Sequence, residues 1–197
     1  NPLLIHDITN IFTRDDVKFD IFKKLVKSGS KSRCIVTKNT KDNPRSFFDG
    51  IDKWAKEQGS SGMAYFTIEK NKEISARGPV GKFFSSEALK EIMSKTKAEV
   101  GDSIFLACAK VNEVEKILSI ARDKIAKDLN LINEDQFAFC WIVDYPMYEL
   151  DEQTKKIKFS HNPFSMPQVD FNKFDKTDPL SILAYQYDLV CNGYELS

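Results

Sequence analysis

Two carboxylates near the end of the sequence have the spacing to bind one divalent cation together. Asp188 and Glu195 flank Asn192-Gly193, a dipeptide that favours a two-residue hairpin turn because both of its positions accept positive φ. Since side chains alternate along a strand, the two acids then project from one face of the hairpin as diagonal neighbours, about 7–8 Å apart at Cα. Carboxylate oxygens are good ligands for hard divalent cations, so the pattern predicts a cation-binding pair.

The same turn predicts the pairing of the whole hairpin. The expected pairs are Cys191–Tyr194, Val190–Glu195, Leu189–Leu196 and Asp188–Ser197. Tyr187, Leu189, Cys191, Tyr194 and Leu196 then form an apolar face on the side opposite to the acids. The alternative is that both acids are ordinary solvated residues of a polar face. Against this alternative, Val190 lies between the acids, so we expect their face to be partly covered, and buried like charges repel unless a cation joins them.

His161 is the second residue whose type and position could do chemistry. It follows an apolar segment, Ile157-Lys-Phe159, and precedes Asn162-Pro163. Proline favours an extended conformation for the residue before it, so a fixed loop presents the imidazole. Imidazole binds ligands in either charge state near neutral pH. The plainer alternative, which residue type alone favours, is a turn histidine satisfied by the local backbone.

Other candidate motifs are weaker. Asp144 and Glu149 flank Tyr-Pro-Met-Tyr, but this spacing also fits the solvated end of a strand. Gly78-Pro-Val-Gly81 lacks the spacing and the Gly-Lys-Ser/Thr ending of a phosphate-binding loop. The sequence contains no Gly-x-Ser-x-Gly elbow and no Cys/His nucleophile pattern, so covalent catalysis by such a nucleophile is not indicated.

The elements that must position these residues fall into two regions. Up to residue 132 the order is strand, helix, strand, helix, paired strands, helix, strand, helix. This order predicts a two-layer α+β module with helices on one face of a mixed or antiparallel sheet. The clearest helix runs from about Asn112 to Leu129, with Asn112 and Glu115 as a capping box and one apolar stripe. A polar segment at 131–136 marks a boundary, so we predict domains at 1–132 and 133–197.

The second region begins with a strongly apolar segment. Residues 137–143, Phe-Ala-Phe-Cys-Trp-Ile-Val, are apolar at both parities, which predicts a central strand buried on both faces. The candidate residues at 161, 188 and 195 all belong to this region.

Composition and charge exclude several classes of protein. The 29 basic and 29 acidic residues balance, so no net charge attracts the chain to nucleic acid or membranes, and an RNA contact would need a local patch. The four cysteines are far apart, which predicts buried free thiols in a reducing cytosol rather than disulfides or a zinc site. No apolar stretch reaches the roughly 18 residues needed to span a bilayer. Without an initiator Met or a signal peptide, we expect a cytoplasmic piece of a longer protein.

Three ordered motifs resemble the class II aspartyl-tRNA synthetases of bacterial type. They are Phe139-Cys-Trp-Ile-Val-Asp-Tyr-Pro-Met-Tyr-Glu149, His161-Asn-Pro-Phe-Ser165 and Ala184-Tyr-Gln-Tyr-Asp-Leu-Val-Cys-Asn-Gly-Tyr-Glu195. Residues 3–130 resemble the GAD domain that the bacterial enzymes insert between the second and third class II motifs, through Ala76-Arg-Gly-Pro-Val-Gly-Lys-Phe83 and Gly101-Asp-Ser-Ile-Phe105. The resemblance implies a GAD insertion domain at 1–132 followed by part of a class II catalytic antiparallel sheet at 133–197.

This resemblance implies an activity and a role for each matching residue. The family is aspartate–tRNA ligase, which activates L-aspartate with ATP to aspartyl-adenylate and transfers it to the 3′ end of tRNA. His161 would contact L-aspartate, Glu195 would contact ATP, and Asp188 and Glu195 together would hold Mg²⁺ that bridges the ATP phosphates. The implied partners are the aspartate tRNA and a second copy in a homodimer, with no membrane. Whether the asparagine tRNA is also charged stays open.

The sequence departs from the family pattern in two ways. The family has His-His-Pro-Phe-Thr where this chain has Asn162 and Ser165, so substrate recognition or transfer to tRNA is expected to differ. The anticodon-binding domain and the arginines that hold ATP and the aspartate side chain are absent from this sequence. Because catalysis here is positioning and charge neutralisation, we expect the chain alone to be inactive.

Two other classes of function are compatible with parts of the sequence. One is a non-catalytic, GAD-containing tRNA-binding subunit of a tRNA-dependent amidotransferase. Such a subunit need not keep the acidic hairpin or the His161 loop, so their presence favours the synthetase. The other is a purely structural module, which the GAD region considered alone does not exclude.

Overall fold

The computed structural model describes residues 1–151 and 153–196, and its contacts divide the chain between Ile132 and Asn133 into two units. The first unit contains β1 (Ile5–Asp7), α1 (Asp20–Lys27), β2 (Lys31–Thr37), α2 (Arg45–Glu57), β3 (Ala64–Lys70), β4 (Ile74–Arg77), α3 (Ser86–Thr96), β5 (Ser103–Ala109) and α4 (Val111–Asp128). Short 3₁₀ helices lie at Thr9–Thr13 and Gly81–Phe83. Among the described residues, no helix has the length and apolar character needed to cross a membrane.

Strand β5 is the middle strand of the sheet in the first unit. The strand order is β1-β2-β5-β3-β4, and every neighbouring pair is antiparallel. Phe105 of β5 pairs with Ile35 of β2 and with Tyr65 of β3. Ile104 and Phe105 project to opposite faces, yet both are fully buried. The sheet is therefore covered on both sides.

Helices cover both faces of this sheet, so the expected arrangement of two layers with helices on one face is wrong. Ile104 packs in one core with side chains of α1 and α3, such as Leu89. Phe105 packs in a second core with side chains of α2 and α4, such as Leu118. The physical reason lies in β5, because a strand that is apolar at both parities needs an apolar layer on each side. The module is an α+β fold with three layers.

Helix α4 confirms the predicted apolar stripe but not the predicted cap. Its buried residues include Val114, Ile117, Leu118, Ala121 and Ile125. The helix begins at Val111, so Asn112 lies inside the first turn, and Lys110 at the cap position makes no side-chain hydrogen bond to the helix. Glu115, the expected partner in the capping box, instead forms an ion pair of 2.8 Å with Arg33 of β2. The second turn of α4 is thus tied to the sheet by charge.

The described part of the second unit has two long strands and three short strands around a small core. It contains β6 (Phe139–Pro146), β7 (Tyr148–Leu150), β8 (Ile157–Phe159), α5 (Phe171–Phe174), a 3₁₀ helix (Pro179–Ser181), β9 (Leu183–Cys191) and β10 (Tyr194–Glu195). One antiparallel sheet has the order β10-β9-β6, and β7 and β8 form a second sheet. Met147, Ile182 and Ala184 are its buried apolar cluster.

Strand β6 forms where expected, but the prediction that both of its faces are buried is wrong. Phe139 is 62% exposed and Trp141 is 58% exposed. Cys140 is exposed as well, whereas Cys34 and Cys108 are buried as expected. Within the second unit β6 pairs with β9 alone, so no described layer of that unit matches its apolar content. The apolar run of residues therefore predicted the presence of the strand but not its exposure.

Candidate functional site

The predicted hairpin forms between β9 and β10 with the expected register. The observed pairs are Cys191–Tyr194 and Val190–Glu195, and the amide of Leu196 donates to the carbonyl of Leu189 at 2.8 Å. Asn192 and Gly193 have φ values of 50° and 87°, the positive angles that a type I′ turn requires. The expected pair of Asp188 with Ser197 lies outside the described residues.

Asp188 and Glu195 share one face of the hairpin. Asp188 pairs with Ile142 of β6, and Glu195 pairs with Val190 of β9, so strand alternation makes the two acids diagonal neighbours. Asp188 and Val190 are half-buried, whereas Glu195 is exposed. The expected partial cover therefore applies to Asp188 and not to Glu195.

A bulge interrupts the pairing of β6 with β9 close to Asp188. The register shifts by one residue between the pairs Val143–Tyr187 and Tyr145–Ala184, so two residues of β9 lie opposite Asp144. Asp144 has φ of 59°, in the left-handed region that Asp tolerates better than most residues. Bulges of this kind change the direction of the side chains that follow them.

The residue that the bulge redirects is Tyr145. In a regular strand it would share a face with Trp141 and Val143. Instead, its hydroxyl donates a hydrogen bond to Oδ2 of Asp188, so Tyr145 reaches the acidic face. The sequence reasoning missed Tyr145, and the one available signal was Asp144, an acid within an otherwise apolar strand.

Hydrogen bonds from Gln168 stabilise the bulge. Its Nε2 donates to Oδ1 of Asp144 at 2.8 Å and to the carbonyl oxygen of Ala184 at 3.0 Å. Its backbone amide donates to the carbonyl of Leu183 at 2.8 Å. One side chain thus bonds to both strands where their register shifts, which fixes the backbone from which Tyr145 projects.

His161 lies next to Tyr145. It follows β8 as expected and is exposed, and its ring packs edge-on against the ring of Tyr145 with centroids 4.7 Å apart and planes at 75°. Asn162 serves the loop itself, because its Oδ1 accepts the amide of Phe164 at 3.0 Å and its carbonyl accepts the amide of Ser165 at 3.2 Å. Tyr145 therefore touches both the His161 loop and the acidic hairpin.

The acids strengthen the hold of Tyr145 on its hydroxyl proton. The hydrogen bond to Asp188 raises the pKa of Tyr145 to about 12, and the negative charges of Asp188 and Glu195 act in the same direction. A phenol is already protonated at neutral pH, and the raised pKa extends the protonated form to more alkaline pH. Tyr145 is thus a permanent hydrogen-bond donor, and both carboxylates act on the same hydroxyl.

The donor chemistry of this face fits a hard divalent cation. Asp188 and Glu195 offer only oxygen ligands, and the hydrogen bond from Tyr145 engages Oδ2 of Asp188, which leaves Oδ1 available to a cation. Within residues 1–151 and 153–196, no group of three or more His, Cys, Asp or Glu side chains is arranged to hold a metal ion. A cation bound by these two acids would therefore complete its coordination with water or with ligand oxygens such as those of a phosphate.

The other acidic pair does not form a second site. Glu149 makes an ion pair of 3.2 Å with Lys158 on the neighbouring strand. Asp144 accepts its hydrogen bond from Gln168 in the bulge. Both acids thus have local structural partners, and the plainer interpretation of the two acids fits the structure.

A cavity of about 620 Å³ in the first unit has basic side chains in its lining, among them Lys41, Arg45 and Arg77. Arg45 pairs with Asp49 at 3.1 Å, and Arg77 pairs with Glu69 at 3.2 Å. Because these ion pairs already neutralise the arginines, the cavity has little net charge to attract an anion. We assign it no function.

Comparison with known proteins gives two kinds of match. Residues 22–118 match the family model of the GAD domain. The full chain is 75% identical to a region of the aspartate–tRNA(Asp/Asn) ligase of Pelagibacter ubique and covers 33% of that protein. It is 42% identical to the ligase of the same name from Beijerinckia indica, over 33% of that protein. The corresponding ligase from Gluconobacter oxydans is 44% identical, over 32% of its length.

These matches agree with one another along the chain. The chain spans about a third of the length of the ligases it matches, and the aligned region includes both structural units. Residues 22–118 are thus similar to a GAD domain, and the chain as a whole is similar to one region of the aspartate–tRNA ligases.

Proposed function

We propose that this chain works as part of an aspartate–tRNA ligase, which activates L-aspartate with ATP to aspartyl-adenylate and transfers the aspartyl group to the 3′ end of tRNA. The observation that carries this proposal is the acidic hairpin, whose two-residue turn brings Asp188 and Glu195 to one face. The similarity of the whole chain to about a third of proteins named aspartate–tRNA(Asp/Asn) ligase supports it.

The two units have different roles in this proposal. Residues 1–132 are the GAD insertion domain, and residues 133–197 are part of a class II catalytic domain. The antiparallel sheet of β6, β9 and β10 supplies the acids, and the loop after β8 supplies His161. Both reach the same place because Tyr145 contacts each of them.

The acids act on ATP. Glu195 contacts the nucleotide, and Asp188 and Glu195 hold Mg²⁺ through their oxygens. Held by these acids, Mg²⁺ would supply charge neutralisation at the phosphates. The carboxylate of L-aspartate attacks the α-phosphorus of ATP and displaces pyrophosphate, which leaves aspartyl-adenylate. The protein contributes position, because the rigid turn fixes the separation of the two carboxylates before ATP binds.

His161 contacts L-aspartate. Its exposed imidazole is available to the carboxylate groups of the substrate, either as a neutral donor or as a cation. Asn162 and Ser165, which stand where the family has His and Thr, do not reproduce the second imidazole. Since Asn162 already bonds to the backbone of its own loop, substrate recognition here depends more heavily on His161.

The partners follow from the same family. The relatives are named for tRNA(Asp/Asn), and we propose that the parent enzyme likewise accepts the asparagine tRNA in addition to the aspartate tRNA. It acts as a cytoplasmic homodimer without a membrane partner. No observation favours the alternative of an amidotransferase subunit, since such a subunit has no need of the acidic hairpin.

Substitution of Glu195 tests the proposal in the full-length ligase that contains this chain. Glu195→Gln and Asp188→Asn are each expected to reduce ATP–pyrophosphate exchange about 100-fold, because each removes charge that positions the phosphates. Binding of tRNA is expected to change less than about twofold, measured by filter retention. Glu134→Gln, at an exposed position in the polar segment between the units, is the matched control. Equal losses of exchange and tRNA binding in the Glu195 variant would overturn the assignment.

A further inference from the structure

Tyr145 contacts both Asp188 and His161, and the proposed function gives it no role. Its hydroxyl donates to Asp188, and its ring packs on His161 at 4.7 Å between centroids. Two groups with different proposed ligands, a cation and an amino acid, are thus joined by one side chain. A regular strand would not allow these two contacts, because alternation of side chains would place Tyr145 on the opposite face of the sheet.

Specific contacts stabilise the bulge that redirects Tyr145. Asp144 adopts φ of 59°, a conformation that costs free energy for a residue other than glycine. Gln168 compensates by bonding to Asp144 and to the opposite strand at Ala184. The residue directly before Tyr145 is thus strained and has a dedicated hydrogen-bond partner, so specific contacts set the direction of Tyr145 in place of regular strand alternation.

The hydrogen bond from Tyr145 limits the freedom of Asp188. A half-buried aspartate on a strand samples several χ2 orientations, and only some direct an oxygen toward Glu195. By engaging Oδ2, the Tyr145 hydroxyl selects an orientation and leaves Oδ1 for a cation. Partners of this type commonly orient the ligands of metal ions. The ring of Tyr145 has a separate role, because it packs against the imidazole of His161.

We propose that Tyr145 is a positioning residue that orients the Asp188 carboxylate toward a divalent cation and, through its ring, holds His161 beside it. This inference rests on the proposed assignment of Asp188 and Glu195 to a cation. The hydroxyl orients the carboxylate that binds the cation, and the ring positions the imidazole that contacts the amino acid. Substitutions that remove the hydroxyl alone or the whole ring therefore separate the two roles.

The first test measures binding of Mn²⁺ alone to this chain by electron paramagnetic resonance. Tyr145→Phe removes only the hydroxyl and is expected to weaken Mn²⁺ binding about tenfold, the lower end of what loss of such a partner costs. Tyr187→Phe is the matched control, because Tyr187 is 67% exposed and packs against Trp141 on the apolar face. Equal affinities of the Tyr145 and Tyr187 variants would overturn the inference.

The second test uses the full-length ligase and separates the hydroxyl from the ring. Tyr145→Phe is expected to raise KM for Mg-ATP about tenfold while KM for L-aspartate changes less than about twofold. Tyr145→Leu, which also removes the ring, is expected to raise both constants. A uniform effect of Tyr145→Phe on both constants would indicate a general structural role and overturn the inference.

Asp188→Asn distinguishes failure of the inference from failure of the proposed function. If Asp188→Asn abolishes Mn²⁺ binding and Tyr145→Phe does not weaken it, the cation assignment stands and only the role of Tyr145 is wrong. If Asp188→Asn leaves Mn²⁺ binding unchanged, the cation assignment is wrong and the inference falls with it.

Discussion

Arg14 joins two acids in the first unit and shows how a single residue can connect separate segments. Its Nε and one terminal nitrogen donate to the carboxylate of Asp16 at 2.8 and 2.7 Å, and the other terminal nitrogen donates to Glu91 of α3 at 2.6 Å. Ser85, the cap of α3, donates to the same Asp16. The hydrogen bonds from Arg14 and then from Ser85 hold the pKa of Asp16 well below its usual range. The cluster ties the segment before α1 to the start of α3.

Removal of Arg14 is expected to give a stability loss that depends on pH. A carboxyl whose pKa is lowered by folding stabilises the fold above its ordinary pKa and loses this contribution as the pH falls through the folded value. Arg14→Met should therefore lower the free energy of unfolding at neutral pH, by a modest amount because the pairs are partly exposed. The difference from the wild type should shrink below about pH 4, where Asp16 begins to protonate in the unfolded chain.

Urea unfolding at several pH values measures this effect. Arg45→Met is the control, since the Arg45 side chain is 82% exposed in its pair with Asp49 and its loss should cost less than about 0.5 kcal/mol. A deficit of Arg14→Met that stays constant from neutral pH to about pH 2 would contradict the assigned role of Asp16.

The acidic hairpin of the candidate site could be predicted from the sequence, whereas the position of Tyr145 could not. The turn at Asn192-Gly193 depends on residues next to each other, so local chemistry predicted both the turn and the face of Asp188 and Glu195. The position of Tyr145 depends on a register shift against a strand far along the chain, and its hydrogen bond to Asp188 spans 43 residues. Local patterns contain no information about such a shift.

Strand and helix patterns predict elements more reliably than they predict what covers them. The apolar stripe of α4 was predicted from periodicity and is buried in the structure. Strands β5 and β6 are both apolar at both parities, yet β5 is buried on each face and Trp141 of β6 is 58% exposed. The difference lies in the neighbours, because β5 has strands on both sides and helices on both faces. Burial of a strand is a property of the assembled sheet.

The stripe of α4 can be tested with neighbouring residues of similar size. Leu118 is fully buried, whereas Ile120 on the same helix is 38% exposed. Leu118→Ala should lower the free energy of unfolding by about 3 kcal/mol, because it leaves a cavity in the core beneath the sheet. Ile120→Ala should cost less than about 1 kcal/mol. Chemical denaturation followed by circular dichroism checks both values, and similar losses in the two variants would contradict the assigned faces.

At the scale of the whole molecule, the two units differ in the size of their cores. The first has an extensive buried cluster on each side of its sheet, while the described cluster of the second consists of Met147, Ile182 and Ala184. The chain has two tryptophans, and each unit contains one, Trp54 in α2 and Trp141 in β6. The molecule therefore carries its own reporter for each unit.

We expect the second unit to unfold at a lower urea concentration than the first, because less apolar area is removed from water in it. Trp141→Phe leaves Trp54 as the only tryptophan and reports on the first unit, while Trp54→Phe leaves Trp141 and reports on the second. Fluorescence titrations of the two variants give the two midpoints. Circular dichroism of each variant serves as the control for an unchanged fold, and coincident midpoints would mean that the units unfold together.

The two-residue length of the loop at Asn192-Gly193 sets a limit on how this region can evolve. A point change at Gly193, where φ is 87°, strains one residue and costs about 1 kcal/mol. A one-codon insertion or deletion is a different kind of event, because a slip by one residue exchanges the two faces of a strand. Such a frame-preserving change would carry Glu195 to the face of Tyr187 and leave Asp188 alone. Point substitutions in this loop therefore have a modest cost in stability, while a change in its length would separate the two acids.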